Sequence, residues 1–237
     1  MRNEIEFQNQ VIQSVNTAYR TLMGKVYLWM TLALAVTGLT SLYVASSPGL
    51  VQSIFASRGT FWLLVIAELA LVFILSARIM KMSFSTAGIM FALYSVLNGV
   101  TMSFIFIAYT STTIATAFFV TAGMFAAMSF IGFVTKKDLS SFGSFFTMAL
   151  IGLIIASVVN IFLNSSVMYW IITYVGVLLF VGLTAYDTQK IKQMLIEYGD
   201  EVNDSTQKLA LIGSLSLYLD FINLFLYILR LFGNNKE

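Results

Sequence analysis

Apolar residues in this chain come in long, nearly unbroken runs, with polar residues gathered into short gaps between them. A spanning helix needs about 20 predominantly apolar residues. Seven runs meet that requirement: Val26–Ala45, Phe61–Ala77, Phe84–Ala108, Ile114–Val134, Phe145–Leu163, Tyr169–Asp187 and Leu209–Phe232. The pattern predicts an all-α integral membrane protein, a bundle of seven transmembrane helices. The gap between the third and fourth runs is only Tyr109-Thr110-Ser111-Thr112-Thr113, and the long gap lies between the sixth and seventh. Nearly the whole length is taken up by spans, so a single membrane domain over 1–237 is expected. Residues 1–24 would form a cytoplasmic N-terminal segment and 25–233 the seven helices.

Smaller features refine this picture. Val11, Val15, Ala18, Tyr19 and Leu22 fall at helical spacing before the first span, with Arg20 and Lys25 nearby. That stripe fits an amphipathic helix on the membrane surface, or a plain helical lead-in packed on the bundle. The small-residue pairs Gly123/Ala127 and Gly152/Ala156 suit close helix packing. The only proline, Pro48, sits in the first outer loop, so no span is kinked by proline. Glu197, Asp200, Glu201 and Asp204 crowd the long gap and read as a solvated loop, with cation attraction as the alternative. No internal repeat is visible, which argues against an inverted-repeat transporter.

Composition agrees. Hydrophobic residues make up 59% and charged residues 10%, against about a quarter charged in a soluble domain. A net charge of +2 is too small to suggest nucleic acid. With no cysteine and no histidine, disulfides, thiol catalysis, iron–sulfur clusters and histidine-based metal or acid–base chemistry are excluded. The first 23 residues are polar and no small-residue cleavage site follows the first run, so no cleaved signal peptide is expected. Arg2, Arg20, Lys25, Arg78, Lys81, Lys136, Lys137, Lys190, Lys192 and Lys208 lie on one side of the predicted bundle. Arg58, Arg230 and Lys236 lie on the other. The positive-inside rule then places the N-terminus in the cytoplasm and the C-terminus outside.

Charge inside the runs is where function is to be sought. A carboxylate near hydrocarbon is unfavourable unless paired, protonated or wetted, and so marks an ion or proton path. Three acids fall at membrane depth: Glu68, Asp187 and Asp220. At a rise of about 1.5 Å per residue, Asp220 lies about 17 Å past Leu209 and Glu68 about 10 Å into its own span, both near the middle. Depth alone would pair Asp220 with Glu68, and Asp187 with Arg78 or Lys81. Bringing Asp187 beside Asp220 needs tilt, or a sixth helix that continues past Lys190, for which Ile191, Met194 and Leu195 supply an apolar run. The bland alternatives are an interfacial Asp187 closing a helix end beside lysines, and an Asp220 bonded to Asn223 or a tyrosine. For Arg78 and Lys81 the bland alternative is plain positive-inside anchoring. Asn98 and Asn160 are mid-helix amides, read as interhelical glue. Two acids meeting in a low-dielectric site cannot both ionise cheaply, which would make a proton-titrated lock. Deprotonated, the same pair offers hard oxygen ligands that suit Ca²⁺.

The segments LTAYDTQKIK (183–192) and SLYLDFINLFLYILRLFG (216–233), supported by TKKDLSSFGSF (135–145), resemble the transmembrane Bax inhibitor motif family in its bacterial members. The resemblance extends over nearly the whole chain. It implies a seven-helix protein with the last helix central, in a bacterial inner (cytoplasmic) membrane. It also implies a pH-sensitive calcium leak channel in which Asp187 and Asp220 match the two sensor aspartates, with Ca²⁺ as the transported ion and no resident cofactor. An arginine at the end of the second helix acts as a latch in that family; this sequence reads Arg78-Ile79-Met80-Lys81 there and not a run of arginines, so Arg78 and Lys81 both compete for the position. Other bacterial relatives resemble modulators of a membrane-bound AAA protease, the alternative partner besides lipid and calcium.

No enzyme is expected. The tyrosine–aspartate of the sixth span and the aspartate of the seventh resemble aspartyl intramembrane proteases. However, Asp220 follows Leu217-Tyr218-Leu219 and not Gly-x-Gly, and the Pro-Ala-Leu element is missing. A retinal protein is excluded because the seventh span holds no lysine for a Schiff base.

Overall fold

A computed structural model describes residues 2–55 and 57–233, with side chains from residue 13 onward apart from 56 and 58. It contains eight helices: α1 (Arg2–Ala45), α2 (Pro48–Phe55), α3 (Arg58–Arg78), α4 (Phe84–Ala108), α5 (Ser111–Val134), α6 (Gly143–Leu163), α7 (Ser166–Tyr198) and α8 (Asp204–Phe232). Single 3₁₀ turns, Ile79–Lys81 and Ser140–Phe142, precede α4 and α6. There is no β-strand among the described residues. All except α2 are long and apolar enough to cross a membrane. The protein is therefore an all-α, multi-pass membrane protein, as the apolar runs predict.

The boundaries follow from local chemistry. Pro48 opens α2 in the connection between α1 and α3, where its missing N–H would be unpaired anyway. Ser57 accepts a hydrogen bond from the Thr60 N–H at the start of α3, and Thr110 does the same for Thr113 at the start of α5; both are ordinary N-caps. Asn164 ends α6 in the left-handed region at φ 46°, a conformation that asparagine tolerates better than most residues. Asn160 is not interhelical glue: its side chain accepts from the Ser165 N–H, 3.1 Å away, and shapes the α6–α7 turn.

Two helices are longer than their apolar runs. The lead-in and the first span form one continuous helix of 44 residues. Ala18, Leu22, Met23 and Val26 are buried on it, so the lead-in packs against protein; Val11 of the proposed stripe lies outside the described side chains. Helix α7 runs on through Lys190 to Tyr198, with Ile191 and Leu195 buried. The apolar criterion stops where lipid contact stops, whereas a helix continues wherever one of its faces finds protein to pack against.

The chain groups into two compact units, residues up to 107 with 191–218, and 108–190 with the chain from 219 onward. In the first, α1 and α4 cross closely. A Cβ on Gly99 would come 2.7 Å from the Thr37 carbonyl oxygen. Thr37 donates to the Ser95 carbonyl (3.0 Å) and Ser41 to that of Gly99 (2.7 Å). Tyr218 stands fully buried among them, 2.7 Å from the Thr37 hydroxyl and edge-on to Phe91 and Tyr94. In the second unit, Phe221 packs edge-on to Phe118 and Phe125, Tyr227 stacks on Phe180, and Gly176 leaves room for Tyr227. Helix α8 is the most buried of the spans and α6 the least. Gly123 and Gly152 meet nothing within 4 Å. Among the described residues, the glycines of the small-residue pairs therefore mark no close crossing; Gly99 and Gly132 mark close backbone approaches instead.

Candidate functional site: two aspartates in the second unit

Asp187 on α7 and Asp220 on α8 belong to the same unit and lie within electrostatic reach of one another. Asp220 is only 5% exposed, and its Oδ2 is buried with no hydrogen-bond partner among the described residues. A buried polar oxygen left without a partner is unfavourable, so this atom is a place where a proton, water or cation would be stabilising. Asn223 does not serve it: the Asn223 amide donates to the Leu219 carbonyl at 2.8 Å, one turn back on its own helix. Asp187 is half-buried, and Lys190, on the same side of α7, acts on it electrostatically. The extension of α7 past Lys190 carries Asp187 to a mid-helix position, so it is not the last residue of a span.

The residues flanking Asp187 are all engaged with the α5–α6 region of the same unit. Gly132 abuts the Ala185 backbone so closely that a Cβ would sit 2.2 Å from its carbonyl oxygen. Tyr186 lies over Gly143 and packs on Phe146, with ring centroids 5.6 Å apart. Thr188 donates to the Ser129 hydroxyl. Gln189, 6% exposed, donates from Nε2 to the Lys137 carbonyl (2.8 Å) and accepts at Oε1 from the Leu139 N–H (2.7 Å).

Glu68 sits in the first unit, on α3. The Asn98 amide donates to its Oε1, and Thr101 donates to its Oε2 at 3.0 Å, both from α4. Asn98 is therefore the partner of an acid. Glu68 and Asp220 fall in different units, and the observed hydrogen bonds of Glu68 go to α4. Arg78, the last residue of α3, and Lys81, in the following 3₁₀ turn, are both exposed in the first unit.

Two features escaped the sequence reading. Lys208, one of the ten basic residues in the charge count, is 7% exposed; it pairs with Asp204 at 2.9 Å and donates to the Met82 carbonyl at 3.1 Å. Asp204 in turn accepts from the Phe84 N–H. The last acid of the loop thus opens α8 and pins the α3–α4 turn. Among the described residues, no group of three or more acids could hold a metal ion. A cation at the Asp187–Asp220 pair would have two carboxylates and would draw its remaining ligands from water or backbone, as Ca²⁺ commonly does.

A family model described as "Inhibitor of apoptosis-promoting Bax1" matches residues 19–237. The chain belongs to the Bax inhibitor family. Its relatives in that family include "Inner membrane protein YbhL" of Escherichia coli (strain K12), 49% identical over 217 residues, which covers 92% of this chain and 93% of that protein. An uncharacterized protein, RP147, of Rickettsia prowazekii is 43% identical over 220 residues, with 92% and 91% covered. An uncharacterized protein of Deinococcus radiodurans is 41% identical over 218 residues, with 92% of each covered.

Proposed function

We propose that this Bax inhibitor family protein is a pH-sensitive calcium leak channel, gated by protonation of the Asp187–Asp220 pair. The observation that carries the reading is the buried, unpartnered Oδ2 of Asp220 with a second carboxylate within electrostatic reach. Two carboxylates in one poorly solvated place cannot both ionise cheaply. Gain or loss of a shared proton then changes which contacts hold α7 and α8, and the deprotonated pair presents hard oxygens to passing Ca²⁺. Nothing in this scheme is enzymatic. The decisive experiment is Ca²⁺ flux into proteoliposomes over a range of pH. Absence of flux at every pH, together with a complex with a membrane-bound AAA protease that survives detergent, would replace the channel by a non-conducting modulator.

The proposed location is a bacterial inner membrane, the setting in the name of the Escherichia coli relative, with the N-terminus in the cytoplasm. Ten basic residues against three support that orientation. Reporter fusions after Lys137 and after Glu237 are expected to report opposite compartments; the same compartment for both would refute the seven-span topology.

Arg78 and Lys81 enter as basic groups that help set the gate. Since both are exposed, neutral replacements should leave the protein folded and alter the pH dependence of the leak. An unchanged profile in both single variants and in the double variant removes the latch from the mechanism.

A further inference from the structure

The two segments LTAYDTQKIK and TKKDLSSFGSF meet in the second unit through the Gln189 side chain, which grips the α5–α6 connection by the backbone on either side of Asp138. Successive helical residues are about 100° apart, so the directions of the neighbours can be compared. Ala185, Tyr186, Thr188 and Gln189 fall within an arc of about 160° on α7, and Asp187 points the opposite way. Everything within that arc is held by α5, the connection or the start of α6: Ala185 by Gly132, Tyr186 by Gly143, Thr188 by Ser129, Gln189 by residues 137 and 139. Of these contacts, only the Gln189 bridge makes two short hydrogen bonds, at 2.7 and 2.8 Å. It takes both a donor and an acceptor from one planar amide, a geometry that resists rotation and sliding alike.

We propose that Gln189 is the positioning residue of the aspartate pair: by bracing α7 from behind against the α5–α6 connection, it fixes the rotation that turns Asp187 toward Asp220. The brace has a built form of its own. Asp138 Oδ1 accepts from the Ser140 N–H (2.9 Å) and from the Ser140 hydroxyl, an Asx turn. That turn shapes the loop presenting the Lys137 carbonyl and the Leu139 N–H. The inference rests on the proposed function only for its consequence in ion flux; the alignment itself is independent of it.

The absence of native cysteine makes the alignment directly readable. In the full-length protein in lipid nanodiscs, the pair Asp187→Cys/Asp220→Cys should be joined rapidly by a short bis-methanethiosulfonate crosslinker. Adding Gln189→Met, which keeps the length but makes neither hydrogen bond, should slow crosslinking roughly tenfold, the scale set by two lost hydrogen bonds. Asp138→Ala, on an exposed residue, should slow it less. An unchanged crosslinking rate in folded Gln189→Met protein overturns the proposal. Should Gln189→Met fail to fold, an unchanged rate in Asp138→Ala overturns it. In the parent protein with both aspartates present, Gln189→Met should also blunt the pH response of Ca²⁺ flux. A crosslinking effect without any wild-type flux would leave the brace standing and remove the channel.

Discussion

Asp220→Asn is expected to flatten the pH response of Ca²⁺ flux into proteoliposomes, and adding Asp187→Asn is expected to change little more. Asparagine keeps the shape of the side chain and cannot ionise. Asp220 is 5% exposed with an unpartnered oxygen, and the charge of Asp187 acts on it. In the proposed gate the two acids share a proton and act as one unit. Removing either member leaves a lone carboxyl group with no like-charged neighbour, and the switch is already lost. Residues that act as a unit are strongly non-additive when replaced together. Independent, additive effects of the two substitutions would show that no dyad exists. Gating would then have to be sought at another acid at membrane depth, first of all the half-buried Glu68 with its Asn98 and Thr101 partners.

The second large effect concerns stability. Gly132→Ala adds one methyl group at a point where a Cβ would come 2.2 Å from the Ala185 carbonyl oxygen and 2.9 Å from its Cα. The obstacle is backbone, so α5 and α7 must separate, and overpacking of this kind typically costs about 1–3 kcal/mol. The thermal midpoint of the detergent-solubilised protein should fall by several degrees, while Gly152→Ala, where nothing lies within 4 Å, should leave it unchanged. Equal midpoints for the two variants would mean that α5 and α7 are not in close contact at Gly132. Since Ala185 is two residues from Asp187, Gly132→Ala should disturb the leak as well.

The spans were legible because the bilayer imposes one simple requirement, about 20 apolar residues in a row, and the chain meets it seven times. Asp187 and Asp220 were legible for the complementary reason, as charges where the solvent is hydrocarbon. What could not be read was partnership between distant segments. Gln189 looks like an ordinary polar residue near a helix end; its role lies in two backbone groups fifty residues earlier. Glu68 and Asn98 each stood out alone, and only the approach of α3 to α4 makes them a pair. Lys208 entered only as one basic residue in the charge count, because a sequence records charge and not burial. The apolar runs stop short of the ends of α1 and α7 because the periodicity of a half-buried polar extension is weaker than an apolar run; the lead-in stripe and Ile191, Met194 and Leu195 were its only traces.

Helix α8 contributes its first half to one unit and its second half to the other, and it is the most buried of the spans. It is also the last of the seven to leave the ribosome. During synthesis the six earlier spans must therefore reside in the bilayer with vacant seats: Thr37 without the Tyr218 hydroxyl, the rings of Phe118 and Phe125 without Phe221. The first unit has all its residues once the chain reaches Tyr218 and the second needs those that follow, so both are completed late and by the same helix. A ribosome that stalls shortly before residue 204 would release a chain with six well-inserted spans and no finished half, a natural substrate for membrane quality control.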